Sequence, residues 1–141
     1  MTSVAADVQR VVLDTNIVLD VFVFRDPAAQ PLLQGLEQGS LRWLATAPMR
    51  DELARVLAYP QIARRLDHYQ LPAVQVLERM DALAHWVPVA PKASVTCKDP
   101  DDQKFIDLAV AHQALVLSKD QAVLCMAKRL LTLGAAARSA M

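Results

Sequence analysis

The sequence predicts an α/β protein whose strands form a parallel sheet. Residues 11–13 and 115–117 are apolar throughout, as expected of strands that are covered on both faces. The segments between the strand candidates carry apolar residues at helical spacing. Strands that alternate with helices in this way favour a layered α/β architecture with the helices packed on the sheet.

Composition narrows the class of protein further. The 141 residues fit one domain, 54% of them are hydrophobic, and 15 basic residues balance 15 acidic ones. This composition indicates a folded globular protein and argues against disorder. Zero net charge is a mild argument against tight binding to long duplex nucleic acid. The two cysteines are far apart and lack CxxC spacing, which excludes a disulfide scaffold and fits a reduced, cytoplasmic setting.

The first half of the chain predicts two strands and three helices. Asp26 and Thr46 are suitable helix caps with a proline in the first turn that follows. Tyr59 precedes a proline, which indicates the end of a helix. In order, the predicted elements are a strand at residues 8–13, a helix at 15–24, a helix from Asp26 to about Gly39, a strand at 42–45 and a helix from Thr46 to Tyr59.

The second half predicts further helices and shorter strands. Pro88 weakens the strand candidate at residues 86–87, and Gly134 is placed to cap the last helix. The elements are a helix from Pro72, the weak strand, a helix at 101–113, a strand at 115–117, a helix at 121–133 and a tail at 135–141 that holds a short edge strand or none. No stretch is long and apolar enough for a membrane span, and no signal peptide is expected.

Four acidic residues occupy positions where an α/β fold brings side chains together. Asp14 and Asp120 follow strands, whereas Glu52 and Asp102 lie in the opening turns of helices. In a parallel sheet, ligands bind beyond the carboxyl ends of the strands. Carboxylates gathered there repel one another unless a cation joins them. A hard divalent cation such as Mg²⁺ is the expected partner.

Each acid also has a simpler interpretation as a helix cap. Asp99 precedes Pro100 and is the better cap of its helix, which leaves Asp101 or Asp102 free. Asp102 shares a helix face with Phe105 at the i, i+3 spacing, so its side chain is expected near the core. Two residues add neutral oxygen atoms beside the strand-end acids, namely Asn16 and Ser118.

Several other functional signatures are missing. The chain has no GxGxxG, GxxxxGK[ST] or GxSxG segment, which disfavours dinucleotide binding, Walker-type nucleotide binding and hydrolase-type serine chemistry. The three histidines are scattered and lack the spacing of metal ligands. Trp43 and Trp86 are expected to pack, because two tryptophans are too few for a base-stacking platform.

Four segments together resemble one protein family. Residues 11–16 resemble the opening motif of PIN-domain nucleases, and residues 50–53 resemble their second acidic motif. Residues 97–105 are similar to the DPDD-x-KF segment of a bacterial PIN subgroup, and residues 117–120 are similar to the T-x-D motif with Ser118 in place of threonine. The segments occur in the family's order, and the resemblance covers about residues 8–134.

The resemblance implies a single PIN-like domain at residues 1–141, folded as a three-layer α/β/α sandwich on a parallel sheet of about five strands. It also implies a pocket for Mg²⁺ or Mn²⁺ that is lined by Asp14, Glu52, Asp102 and Asp120. Asn16 and Ser118 would support this pocket by hydrogen bonding. Relatives often have an acid at the positions of Gln103 and Ala122.

These departures leave the third acid open. Asp102 is the first choice, Asp99 the second and Asp101 the third. The function that the resemblance implies is metal-dependent hydrolysis of single-stranded RNA. Lys98, Lys104 and Lys119 would contact phosphates, although each could be an ordinary surface charge. Many small bacterial members of the family are toxins that a cognate antitoxin silences, and dimers are common among them.

Two competing interpretations remain at this stage. The first is a PIN-fold scaffold without catalysis that binds RNA or protein, to which Gln103 and Ala122 give weight. The second is a Mg²⁺-dependent phosphotransfer protein, either a receiver domain or a phosphatase, in which Asp14 would be phosphorylated. A phosphatase of this kind has a second aspartate where this chain has Asn16. The second interpretation is therefore the weaker one.

Overall fold

A computed structural model describes residues 8–141 and has a five-stranded sheet at its centre. All neighbouring strands are parallel. The strands are β1 (Gln9–Leu13), β2 (Leu41–Ala45), β3 (Ala84–Trp86), β4 (Leu115–Leu117) and β5 (Ala136–Arg138). Their order across the sheet is β3-β2-β1-β4-β5. The predicted α/β class with about five parallel strands is confirmed.

Eight α-helices accompany these strands in residues 8–141. They are α1 (Thr15–Phe22), α2 (Gln30–Gln38), α3 (Ala47–Leu57), α4 (Pro60–His68), α5 (Ala73–Leu83), α6 (Gln103–His112), α7 (Gln121–Leu124) and α8 (Ala127–Thr132). Helix α6 contacts β1 and β4, α2 contacts β2, and α8 contacts β5. Successive residues of β1 point to opposite faces, yet Val11, Val12 and Leu13 are all buried. Both faces of the central strand are therefore covered, as in a three-layer sandwich.

The structure adds detail to the prediction at two prolines. Tyr59 and Pro60 do end α3, but Pro60 is also the first residue of α4, which the sequence analysis did not predict. Proline suits the first helical turn because the amide hydrogen that it lacks has no partner there. The turn Pro100–Asp102 is a 3₁₀ helix, and α6 begins only after it.

Two further elements differ from expectation. The last helix is not continuous over 121–133, because the chain breaks at Cys125 and Met126 between α7 and α8. Strand β3 spans Ala84–Trp86 rather than residues 86–87, at an edge of the sheet. Trp86 is 43% exposed there, whereas Trp43 is buried against Phe22 with 6.0 Å between ring centroids. The expectation of packing was right for Trp43 and wrong for Trp86.

The register of the central strands determines where the acids lie. Leu13 of β1 pairs with Leu117 of β4, so the next residues of the two strands emerge side by side. The amide of Asp14 donates a hydrogen bond to the carbonyl of Leu117 at 3.0 Å. This edge is the carboxyl end of the sheet, where ligands bind in open α/β folds. Within residues 8–141, no helix is long and apolar enough to cross a membrane.

Candidate metal centre

Three carboxylates converge at the carboxyl end of β1 and β4. Asp14, Asp102 and Asp120 each offer one oxygen, and these oxygens lie within 4.8 Å of one another. Asp14 follows β1, Asp120 precedes α7 just after β4, and Asp102 ends the 3₁₀ turn before α6. Asp14 is 4% exposed and Asp102 is 8% exposed, so two of the three carboxyl groups are buried. We call these three residues the acidic triad.

Ser118 links two members of the acidic triad. Its hydroxyl is fully buried and donates to Asp14 Oδ2 at 2.6 Å, while it accepts from the amide of Asp120 at 2.9 Å. Asp14 stands at the cap position of α1, but its side chain does not cap that helix. Asp120 does cap α7, through a 2.9 Å bond from the amide of Ala122. The capping interpretation is thus true of Asp120 and not of Asp14.

The environment of the acidic triad raises the pKa of its buried members. Burial is the largest cause of a pKa of about 7 for Asp102, followed by the neighbouring carboxyl of Asp120 and the charge of Asp14. Burial also raises the pKa of Asp14, although the hydrogen bond from Ser118 opposes the shift. Among residues 8–141, Asp102 Oδ2 is a buried oxygen without a hydrogen-bond partner. An unpartnered buried carboxylate oxygen is costly in free energy.

The donor set fits a hard divalent cation. Oxygen ligands from two or more carboxylates suit Mg²⁺ or Mn²⁺ better than a soft metal. A cation would reduce the repulsion within the acidic triad and give Asp102 Oδ2 a partner. The residues therefore suit a single divalent ion.

Glu52 lies beside the acidic triad but is engaged elsewhere. One carboxylate oxygen accepts a hydrogen bond from the hydroxyl of Thr15, and the other contacts Lys104 Nζ at 2.5 Å. The ammonium of Lys104 also donates to the carbonyl of Asp101. The charge of Glu52 is close enough to contribute to the raised pKa of Asp14. The structure thus gives a triad with Glu52 as its ion-paired neighbour.

Three further predicted site residues, Asp99, Asn16 and Asp101, lie outside the acidic triad. Asp99 accepts from the amide of Asp101 at 2.9 Å, as expected of a cap, and its charge contributes to the raised pKa of Asp102. Asn16 is exposed, and its support of the pocket stays a prediction. Asp101 is exposed as well.

The three predicted phosphate-binding lysines also differ from one another. Lys98 is exposed. Lys104 is held by Glu52, and Lys119 forms a 2.6 Å ion pair with Asp20. Asp20 is buried on α1 and was not among the predicted site residues. Its apolar neighbours on α1 gave no signal of an ion pair with a residue 99 positions away.

The contacts of Thr15 and Gln103 were not predicted from the sequence. Thr15 directly follows Asp14, and this adjacency was the available signal for a role beside the site. The carbonyl of the Gln103 side chain accepts from the amide of Cys97 at 2.6 Å, and its amide donates to Asp107 at 2.7 Å. Gln103 therefore holds the loop that precedes Asp102.

Comparison with known proteins places the chain in a family. A sequence model described as the PIN domain matches residues 10–122. The fold is similar to a chain in the crystal structure of VapBC2 from Rickettsia felis bound to a DNA fragment from their promoter, with a TM-score of 0.63 and 11% identity. That similarity covers 92% of this chain and 98% of the other. No curated protein matches significantly in sequence. The chain belongs to the PIN domain family.

Proposed function

We propose that this protein is an endoribonuclease that requires Mg²⁺ or Mn²⁺ and hydrolyses phosphodiesters of single-stranded RNA. The observation that carries the proposal is the acidic triad at the carboxyl end of the sheet, with its unpartnered oxygen on Asp102. Such a cluster is unfavourable by itself and favourable around a divalent ion. Membership of the PIN domain family supports a nuclease role.

The residues of the chain take distinct roles in this proposal. Asp14, Asp102 and Asp120 would hold the ion, and Asp99 is the reserve ligand next to Asp102. A bound divalent ion supplies an activated water and stabilises negative charge on the leaving oxygen. Ser118 fixes the orientation of Asp14 through their 2.6 Å hydrogen bond. The central position of Asp14 makes it the residue on which hydrolysis depends most.

Positive charge beside the acidic triad would bind the RNA backbone. Lys104 lies two residues after Asp102 and already neutralises Glu52, so its ammonium is held at the edge of the site. Lys98 is exposed in the segment before Asp99, and Lys119 directly precedes Asp120. These lysines would attract phosphates of any sequence. Glu52 keeps a supporting role by positioning Lys104, and Asn16 is an exposed oxygen donor at the rim.

The deciding experiment measures cleavage of a labelled single-stranded RNA in Mn²⁺, Mg²⁺ or EDTA. We expect metal-dependent cleavage by the wild type and at least 100-fold slower cleavage by Asp14→Asn, because the central ligand loses its charge. Asp51→Asn is the matched control, since Asp51 is exposed on α3 next to Glu52. Cleavage by this control should equal that of the wild type.

Three other results would contradict the proposal. Equal cleavage by wild type and Asp14→Asn would indicate a contaminating nuclease. Cleavage that persists in EDTA would show that the reaction does not require a metal ion. Absence of cleavage with every cation would favour a scaffold that binds RNA or protein. The side-chain contacts of Gln103 support this second candidate, because a position that is often acidic in relatives here fixes a loop.

We further propose that the protein is the toxin of a toxin–antitoxin pair and is active in the cytoplasm. This role comes from the family resemblance, and the likeness of the fold to VapBC2 is consistent with it. Expression of the wild type should arrest growth, and expression of Asp14→Asn should not. A protein encoded beside it that restores growth would be its antitoxin. A homodimer is the proposed oligomeric state, which sedimentation measures directly.

A further inference from the structure

A cavity separate from the acidic triad lies between two loops of the chain. One loop follows α1 and includes Phe24 and Arg25, and the other follows α4 and includes Tyr69 and Gln70. The cavity has a volume of about 350 Å³, which is within the range of small-molecule sites. Arg25 is its one charged lining residue among those described.

One wall of this cavity is aromatic, and Arg65 contacts both of its rings. The guanidinium of Arg65 lies 4.4 Å from the ring centroid of Phe24 and 5.7 Å from that of Tyr69. It also donates to the hydroxyl of Tyr69 at 3.1 Å. These contacts fix the Tyr69 ring, which is nevertheless 43% exposed. A fixed, exposed aromatic ring is a surface on which a base can stack at little entropic cost.

Two helix ends shape the same cavity. Three residues other than glycine have positive φ within residues 8–141, and two of them, Arg25 at 50° and Gln70 at 53°, line this cavity. Both residues lie just beyond the end of a helix, α1 or α4, where a left-handed residue is a common way to end the helix. These two helix ends bring Arg25 and Gln70 to the same cavity.

We propose that this cavity binds one unpaired nucleobase of the RNA substrate, with the base on Tyr69 and its phosphate at Arg25. The amides of Gln70 and Gln75 would hydrogen-bond to the edge of the base. Helix α1 separates Asp14 from the cavity, and its eight residues rise about 12 Å, which matches roughly three to four stacked nucleotides. The proposal rests on the proposed function, since it concerns the same RNA.

The test measures binding of a labelled eight-nucleotide RNA to a protein that cannot cleave it. In the Asp14→Asn background with Mn²⁺, we expect Tyr69→Ala and Arg25→Ala each to weaken binding about tenfold. Tyr59→Ala is the matched control, because Tyr59 is an exposed tyrosine at the other end of α4. Its RNA affinity should be unchanged. Thermal unfolding of each variant verifies that the fold is intact.

A second arm identifies the bound base. A set of RNAs is used, each of which lacks one base, at a different position. For one position, the missing base should weaken binding to the Asp14→Asn protein about tenfold. The same loss should have no further effect in Tyr69→Ala. The proposal would be overturned by any of three results. These are losses of affinity that are additive at every position, an equal affinity of Tyr69→Ala and its parent, and the absence of RNA binding.

The outcomes also separate the cavity from the nuclease. If wild type cleaves an RNA that Tyr69→Ala binds equally well, the cavity proposal fails and the nuclease stands. If the protein binds RNA through Tyr69 but never cleaves it, the nuclease proposal fails and the cavity stands. Loss of a co-expressed protein partner from Tyr69→Ala, with RNA affinity intact, would assign the cavity to a protein and overturn the inference.

Discussion

Ser118 is the residue on which the geometry of the acidic triad depends most. Its buried hydroxyl donates to Asp14 and accepts from the backbone of Asp120, so one oxygen ties the ends of two elements together. Threonine, which the T-x-D motif of the family resemblance has at this position, offers the same hydroxyl with an additional methyl group. The substitution therefore preserves the hydrogen bonds that hold Asp14.

Ser118→Ala should destabilise the fold and weaken metal binding. The change leaves Asp14 Oδ2 and the amide of Asp120 without their partner, at a cost of about 1–3 kcal/mol in the free energy of unfolding. It also removes a hydrogen bond that lowers the pKa of Asp14. Urea unfolding measures the first effect, and Ser139→Ala, at an exposed position, is the control. Equal stability of Ser118→Ala and wild type would contradict the role of Ser118.

The pKa of Asp102 predicts how stability without metal depends on pH. Its folded value of about 7 exceeds the 3.8 of an ordinary aspartate. Between these values the folded state holds a proton that the unfolded state has lost, so the free energy of unfolding falls as the pH rises. The raised pKa of Asp14 acts in the same direction. The full loss in the free energy of unfolding is reached above the pKa of Asp102 in the folded state.

Asp102→Asn should remove most of this pH dependence. We expect the variant to be more stable than wild type by roughly 1–3 kcal/mol at pH 8 in EDTA, and close to wild type near pH 4. Urea unfolding at intervals between these pH values measures the slope. Asp67→Asn, at an exposed position on α4, is the control. A slope unchanged in Asp102→Asn would show that another group carries the pH dependence.

Helix α2 contacts β2 closely at one point. Gly35 lies within α2, where glycine is normally unfavourable. A Cβ atom built at Gly35 would be 2.4 Å from Leu41 Cδ1 and 2.6 Å from its Cγ. The Leu41 side chain therefore occupies the space that any larger residue at position 35 would need.

Gly35→Ala should lower the free energy of unfolding, by about 1–2 kcal/mol after the gain in helix propensity. Gln34→Ala, on the exposed side of the same helix, should be neutral or slightly stabilising. Thermal unfolding of both variants separates the packing effect from propensity. A Gly35→Ala protein as stable as Gln34→Ala would show that Leu41 moves aside at no cost.

The strands and their acids could be predicted because their signals are local. Residues 11–13 and 115–117 are apolar throughout, and Asp14 and Asp120 closely follow them in the chain. The ion pairs of Lys104 and Lys119 could not be predicted, because their partners lie far away in the sequence. The break between α7 and α8 has no glycine or proline to mark it. The order of the strands was not predicted, because strand pairing joins residues that are distant in the sequence.

At the scale of the whole molecule, metal binding should stabilise the fold. A ligand that binds only the folded state at about 100 times its Kd adds about 2.7 kcal/mol, which raises Tm by roughly 5–10 °C for a chain of this size. We expect this shift with Mn²⁺ in wild type and its loss in Asp14→Asn. NaCl at matched ionic strength is the control. An equal shift in both proteins would show that the ion acts elsewhere.

The order of the elements along the chain also determines when the acidic triad can first form. The half with β3, β2 and β1 comes from the early part of the chain, whereas β4 and Ser118 lie 104 positions after Asp14. At ribosomal speed that interval takes roughly 5–20 s. Until it ends, the nascent polypeptide lacks Ser118 and Asp120, so the acidic triad is incomplete. If the proposed cleavage holds, an unfinished chain is harmless to the messenger from which it is being translated.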